Sequence, residues 1–147
     1  MNREKIIIID YGSQFTQLIA RKVRELGAYS EIINFSKAKN LRKNKTIKGI
    51  ILSGGPLTAT NKKTPKLNSA IINLKIPILG ICYGHQILSK KLGGKITTSK
   101  KREFGRSDIK SFTKSPITKK FFISKINSVW MSHQDIVSVM PKGFKRI

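Results

Sequence analysis

The stretch with the clearest chemical content is Gly80-Ile81-Cys82-Tyr83-Gly84-His85-Gln86. It holds the only cysteine of the 147 residues. An apolar run, Ile76 to Ile81, leads into it, and a helix-like run, Gln86 to Leu92, leads out. A strand that turns at once into a helix forces the residue at the turn into a strained backbone conformation. Glycines two residues either side let the chain make that turn without Cβ clashes. The strain lifts the nucleophile clear of the sheet edge, where a substrate reaches it. The helix N-terminus behind it favours negative charge, and helix N-termini lower a thiol from its usual pKa of about 8.5 toward thiolate. A lone cysteine is in general a small buried hydrophobe. The strand, the glycines and the helix together favour a nucleophile here.

A thiol nucleophile needs donors for an oxyanion and a base held by an orienting group. The Tyr83 N–H lies at the start of the elbow helix, and Gly55 offers a second backbone N–H with no side chain in the way. Taken alone, Ser53-Gly54-Gly55-Pro56 reads as an ordinary strand-end turn. It is not a Walker phosphate loop, because no Gly-Lys-Ser/Thr follows. For a base the sequence holds two histidines, His85 and His133.

The elements that must position these residues follow from periodicity. Ile6 to Ile9 is a continuous β-branched run ending at Asp10, as in a strand buried on both faces of a parallel sheet. After the Asp10-Tyr11-Gly12-Ser13 turn, Ser13 is placed to cap a helix. Phe15, Leu18, Ile19, Val23 and Leu26 recur at helical spacing, and Gly27 stops the helix. Ser30 to Phe35 is a second strand; Lys37 to Lys45 is a short helix or loop. Ile47 to Leu52 is a third strand. Thr64 and Pro65 open a helix whose apolar face is Leu67, Ala70, Ile71 and Leu74. Ile76 to Ile81 delivers Cys82, and Gly93-Gly94 ends the elbow helix. This alternation predicts an α/β fold, a doubly wound and mostly parallel sheet, with sites at the carboxyl ends of the strands. Beyond Gly94, Lys95 to Lys101, Ser107 to Thr113 and Asn127 to Met131 read as strands, separated in part by Gly105 and Ser115-Pro116. They belong to the far side of the sheet or to an appended antiparallel segment.

Composition narrows the class. One domain is expected for 147 residues, and 39% hydrophobic residues suffice for a core. A single cysteine excludes an internal disulfide and fits a reducing cytoplasm. No apolar stretch reaches the ~20 residues of a membrane helix, and no signal peptide opens the chain. The net charge of +23 suggests nucleic acid at first sight. The basic residues are mostly Lys and spread along the chain, with no aromatic interleaving. A solvated basic surface is therefore expected, with no specific nucleic-acid partner and weak attraction to polyanions.

Ile51-Leu52-Ser53-Gly54-Gly55-Pro56 together with the Cys82 elbow resembles a class I glutamine amidotransferase domain. Three further stretches narrow the resemblance to the amidotransferase part of the GMP synthases. These are Asp10-Tyr11-Gly12-Ser13-Gln14, Arg102-Glu103-Phe104-Gly105 and Val129-Trp130-Met131-Ser132-His133. The resemblance runs from about Ile6 to Phe144 and implies a flavodoxin-like fold for a single amidotransferase domain over residues 1–147. It implies that Cys82 attacks the side-chain amide of glutamine, forms a γ-glutamyl thioester and releases ammonia. Gly55 and Tyr83 amides then hold the oxyanion. Gln86 helps bind glutamine, and Ser132, His133 and Gln134 form the far wall of its pocket. The family more often has Gly where Gln134 stands.

The family takes its base and orienter from a His-Pro-Glu stretch, and the chain reaches Ile147 before any such stretch. A C-terminally incomplete domain with poor turnover is therefore expected, with His133 the one candidate substitute base. No cofactor or metal is implied for the glutaminase step. ATP and Mg belong with XMP to a synthetase domain or subunit, and the whole enzyme is expected to be a cytoplasmic homodimer. Two other readings compete: the amidotransferase of another pathway, such as anthranilate synthase, and a non-catalytic interaction subunit.

Overall fold

A computed structural model describes residues 3–113, 115–118, 120–122 and 126–147; the side chains of residues 100–103 lie outside the description. Arg102 and Glu103 of the Arg102-Glu103-Phe104-Gly105 stretch are therefore known only through their backbone.

The chain runs β1 (Lys5–Asp10), α1 (Thr16–Glu25), β2 (Tyr29–Asn34), a 3-10 helix (Phe35–Asn40), β3 (Ile47–Leu52), α2 (Ser69–Asn73), β4 (Ile78–Gly80), α3 (Tyr83–Lys91), β5 (Lys95–Lys110) and β6 (Ile126–Val139). The first four strands form one sheet in the order β2-β1-β3-β4, every neighbour parallel. This is the expected α/β arrangement with central β1 and β3. The β-branched runs are buried as predicted: Ile7, Ile8, Ile9, Ile50 and Leu52 are each at most 2% exposed. Each such side chain contributes about 1.5–3 kcal/mol by leaving water. On one face Ile7, Ile9, Ile50 and Leu52 pack with Leu67, Ile71 and Leu74 around α2 and with Tyr83 and Ile87 of α3.

Three expectations about the helices are corrected. Phe15, Leu18 and Leu26 do not bury a helix face; they are 56%, 49% and 87% exposed. α1 meets the sheet through Thr16 and Ala20 instead. The close approach is sealed by polar contacts: the Ser30 hydroxyl donates to the Ala20 carbonyl at 3.0 Å, and Arg24 donates to the Ser30 carbonyl at 2.8 Å. Phe15, Leu18 and Leu26 are left on the flank, while Ile19 and Val23 of the predicted face are half-buried beside Thr16 and Ala20. Ser13 does not cap α1 either. Its hydroxyl accepts from the Phe15 amide in a local turn, while the Thr16 hydroxyl donates to Asp10. The helix expected from Thr64 and Pro65 begins later, because the Thr64 hydroxyl bonds the carbonyls of Thr58 and Asn61. Asn68 caps α2, its side-chain oxygen accepting from the Ala70 amide.

Beyond Gly94 the three predicted strands are two, β5 and β6, paired antiparallel as a ribbon separate from the main sheet. Gly105 lies inside β5 opposite Met131 and does not separate strands. Among the described residues no helix is long and apolar enough to cross a membrane.

The burial pattern has a direct test. Ile71→Ala, at a fully buried α2 position, should lower unfolding free energy by about 2–5 kcal/mol. Leu26→Ala, on the exposed flank of α1, should change it by no more than about 0.5 kcal/mol. Urea unfolding midpoints at unchanged slope measure both. A large loss at Leu26 would show that the flank is covered.

Candidate active site

The site begins with Ser53, which directly follows β3 and is fully buried. Its amide donates to the Ile9 carbonyl at 3.0 Å, continuing the β1–β3 ladder. Its hydroxyl accepts from the Tyr11 amide at 3.0 Å and donates to the Gly54 carbonyl at 2.8 Å. One buried side chain thus ties the loop after β1 to the loop after β3. Gly55 has no room for more than hydrogen, since a Cβ there would lie 2.5 Å from the Tyr11 carbonyl oxygen. A Cβ on Gly54 would lie 3.3 Å from the Cys82 Cβ. The Ser53-Gly54-Gly55-Pro56 loop therefore packs against the cysteine, as the sequence predicts.

Cys82 stands between β4 and α3 with φ 48° and ψ −114°, and it is exposed. Its flanking glycines are required by space: neither Gly80 nor Gly84 has a positive φ. A Cβ on Gly80 would lie 2.6 Å from the His85 Cα, and one on Gly84 would lie 2.4 Å from the Leu52 carbonyl oxygen. In place of those side chains, the Ile81 amide donates to the Leu52 carbonyl and the Gly84 amide to the Ser53 carbonyl, each at 3.0 Å. Among the described residues no hydrogen bond takes up the Gly55 or Tyr83 amide.

Cys82 opens into a cleft of about 720 Å³ that also touches Gly55, Tyr83, Gln86, Ser132, His133 and Gln134. All the predicted site residues therefore border one space. The Ser132-His133-Gln134 wall sits in the middle of β6, more than forty residues along the chain from the elbow. A wider depression of about 950 Å³ lies near the starts of β1 and β3, lined by Lys37, Lys43 and Lys45 among others. It holds neither thiol nor imidazole and is at the wrong end of a parallel sheet for a site.

Tyr83 is buried, with its hydroxyl donating to the Pro65 carbonyl and its ring edge on Tyr11 at 5.5 Å. Burial raises its pKa, partly offset by the Thr64 hydroxyl; burial and then Tyr83 raise Tyr11. Both phenols stay neutral and serve as structure. Gln86 is also buried, and its Nε2 donates to the Asp135 carbonyl at 2.9 Å. Desolvation lowers the His85 imidazole, and neighbouring His133 adds to it. His85 is therefore neutral at physiological pH.

Sequence reasoning missed Asp135. Burial raises its carboxyl, but hydrogen bonds from Thr58, Thr98 and the Ala59 and Thr60 amides outweigh that and hold it below the usual range. Nothing local marks it, since its partners lie in other segments. Among the described residues no cluster of three His, Cys, Asp or Glu residues is placed to hold a metal.

Residues 7–147 match the family model described as "Glutamine amidotransferase class-I". The chain is 46% identical over 142 residues to the GMP synthase [glutamine-hydrolyzing] of Petrotoga mobilis, covering 97% of this chain and 27% of that protein. It is 51% identical over 142 residues to the enzyme of the same name from Treponema denticola, covering 96% and 27%. The chain thus spans a little over a quarter of the length of these curated relatives. Among solved structures, a putative GMP synthase subunit from Thermoplasma acidophilum superposes with a TM-score of 0.75 at 25% identity, over 95% of this chain and 69% of that one. A glutamine amidotransferase of Thermotoga maritima shares the fold with a TM-score of 0.70 at 20% identity, over 98% and 70%.

The geometry can be tested at two positions. Gly84→Ala should cost about 1–3 kcal/mol or more in chemical denaturation, since the atoms in the way are largely backbone; an unchanged midpoint would mean that the elbow has slack. The depressed Asp135 carboxyl contributes stability that is present above its unfolded pKa and lost as pH falls through its lower folded pKa. Asp135→Asn should therefore flatten the acid limb of a stability–pH curve at and below the ordinary Asp range of about 3.9. Identical acid limbs would remove that role.

Proposed function

The chain belongs to the class-I glutamine amidotransferases, and we propose that it is the glutaminase part of a GMP synthase. One observation carries the reading. The Cys82 thiol, at a strand-to-helix elbow, borders the same cleft as the Gly55 loop and the Ser132-His133-Gln134 wall. Relatives at 42–51% identity are GMP synthases, which favours this reading over an anthranilate synthase amidotransferase.

On this reading the Cys82 sulfur attacks the side-chain amide carbon of glutamine. The C–S bond forms, the carbonyl oxygen takes the negative charge, and the Gly55 and Tyr83 amides donate to it. Collapse breaks the C–N bond, and the amide nitrogen takes up the proton that the thiol gave up, leaving as ammonia. Water then attacks the thioester, giving glutamate and the free thiol. Ser132, His133 and Gln134 face the amino-acid end of the substrate. Gln86 acts at one remove, through its bond to the Asp135 carbonyl. Both proton steps need a positioned acid–base group, worth about 10²–10⁴ in rate. The resemblance places that group in a His-Pro-Glu stretch, and the histidines here are His85 and His133.

The ammonia serves a synthetase domain or subunit that uses ATP and Mg to convert XMP to GMP. The assembly works in the cytoplasm as a homodimer. Neither of these larger features involves a cofactor in the Cys82 cleft.

A γ-diazoketone analogue of glutamine should label Cys82, and free glutamine should protect it. Turnover by the 147-residue chain should fall about 10²–10⁴ below that of a full-length relative. Labelling without protection by glutamine would overturn the reading. Full turnover, abolished by both Cys82→Ala and His133→Ala, would instead make His133 the base.

A further inference from the structure

Asp135 takes no part in the chemistry above, yet it borders the cleft with both carboxylate oxygens hydrogen-bonded. It directly follows the Ser132-His133-Gln134 wall in β6 and is 6% exposed. One carboxylate oxygen accepts from the Ala59 amide at 2.9 Å and from the Thr58 hydroxyl; the other accepts from the Thr98 hydroxyl at 2.9 Å. The ion pairs among the described residues do not include it. A buried carboxylate without a cation is expensive unless neutral donors replace its water, and here they do.

The donors come from segments that must meet for the cleft to exist. Thr58 and Ala59 continue the loop that carries Gly54 and Gly55 past the thiol. Thr98 is in β5. The Asp135 backbone carbonyl takes Gln86 of α3, and Lys90 of α3 donates to the Ala59 carbonyl at 2.6 Å. The β5–β6 ribbon is not hydrogen-bonded into the main sheet; Ile96 packs its base on the core cluster, and this clasp adds the polar hold that ties β6 to the Thr58–Ala59 loop. A hydrophobic strand residue at position 135 would pack without the charge but would join nothing.

We propose that Asp135 is the positioning residue of the substrate wall: by clasping the Thr58–Ala59 loop and β5 onto β6, it holds Ser132, His133 and Gln134 at working distance from Cys82. The role rests on the glutaminase reading, since it assumes that this wall grips the amino-acid end of glutamine. Asp135→Asn would place an NH₂ donor against the donors of Ala59 or Thr98. Thr58→Val and Thr98→Val each remove one hydroxyl donor from an exposed position.

Two alkylation rates on the 147-residue chain separate positioning from general support. Iodoacetamide reports the Cys82 thiol alone; a γ-diazoketone glutamine analogue reports the thiol and the wall together. Asp135→Asn should slow the analogue about ten- to a hundredfold, the effect of a misplacement near 1 Å, and leave the iodoacetamide rate within about twofold. Thr58→Val and Thr98→Val should show the same selective loss in smaller measure, and they carry the test if Asp135→Asn does not fold. Equal slowing of both reagents, or no change with either, overturns the role. In the unmodified chain, failure of glutamine to protect Cys82 overturns the glutaminase reading and the wall with it; intact protection in every variant overturns the positioning role alone.

Discussion

There is no room for a side chain between the first turn of α3 and the end of β3. The Leu52 carbonyl occupies the place where a Cβ of Gly84 would stand, and His85 backbone occupies that of Gly80. Everything else at the site depends on this contact. A helix that begins flush against a strand end makes the preceding residue turn sharply, so Cys82 takes a left-handed conformation at the sheet's carboxyl edge. The same closeness brings the β3 loop beside the thiol. Ser53 makes the arrangement rigid by joining that loop to the one after β1.

Features set by neighbours in sequence are legible. The β-branched run of β1 announces a strand buried on both faces, and the elbow is a local pattern of seven residues. Helix surfaces are harder to read. Phe15, Leu18 and Leu26 lie at helical spacing, but a helix approaches a sheet most closely through its small residues, and Ala20 with Ser30 decides which side faces inward. The start of α2 lies later than its apolar spacing suggests, because Thr64 has non-helical partners that spacing does not reveal. Gly105 reads as a break, yet β6 supplies a partner that carries the strand through it. Asp135 is illegible for the same reason in stronger form: its donors stand 77, 76 and 37 residues away. On a strand that alternates inward and outward, an acidic residue before Ile136 gives no hint of a buried clasp.

Charge is distributed unevenly between surface and site. The chain carries 30 basic and 7 acidic residues, and the ion pairs described are exposed or half-exposed, of the kind worth at most about 1 kcal/mol each. A basic excess of this kind attracts polyanions through its field. A zwitterionic amino acid has no net charge for such a field to pull. On the glutaminase reading, recognition in the cleft comes from short-range contacts, and the cleft is bordered by hydroxyls, amides, one imidazole and the hydrogen-bonded Asp135 carboxylate.

The backbone at Cys82 sets fold and use against each other. A non-glycine residue held in so sparsely populated a region costs about 1–3 kcal/mol. The cost belongs to the Cβ and not to the sulfur, so alanine in its place would keep the burden and lose the chemistry. Glycine alone would relieve it. On the glutaminase reading, the cysteine there, in a chain that has no other, sets stability against reactivity.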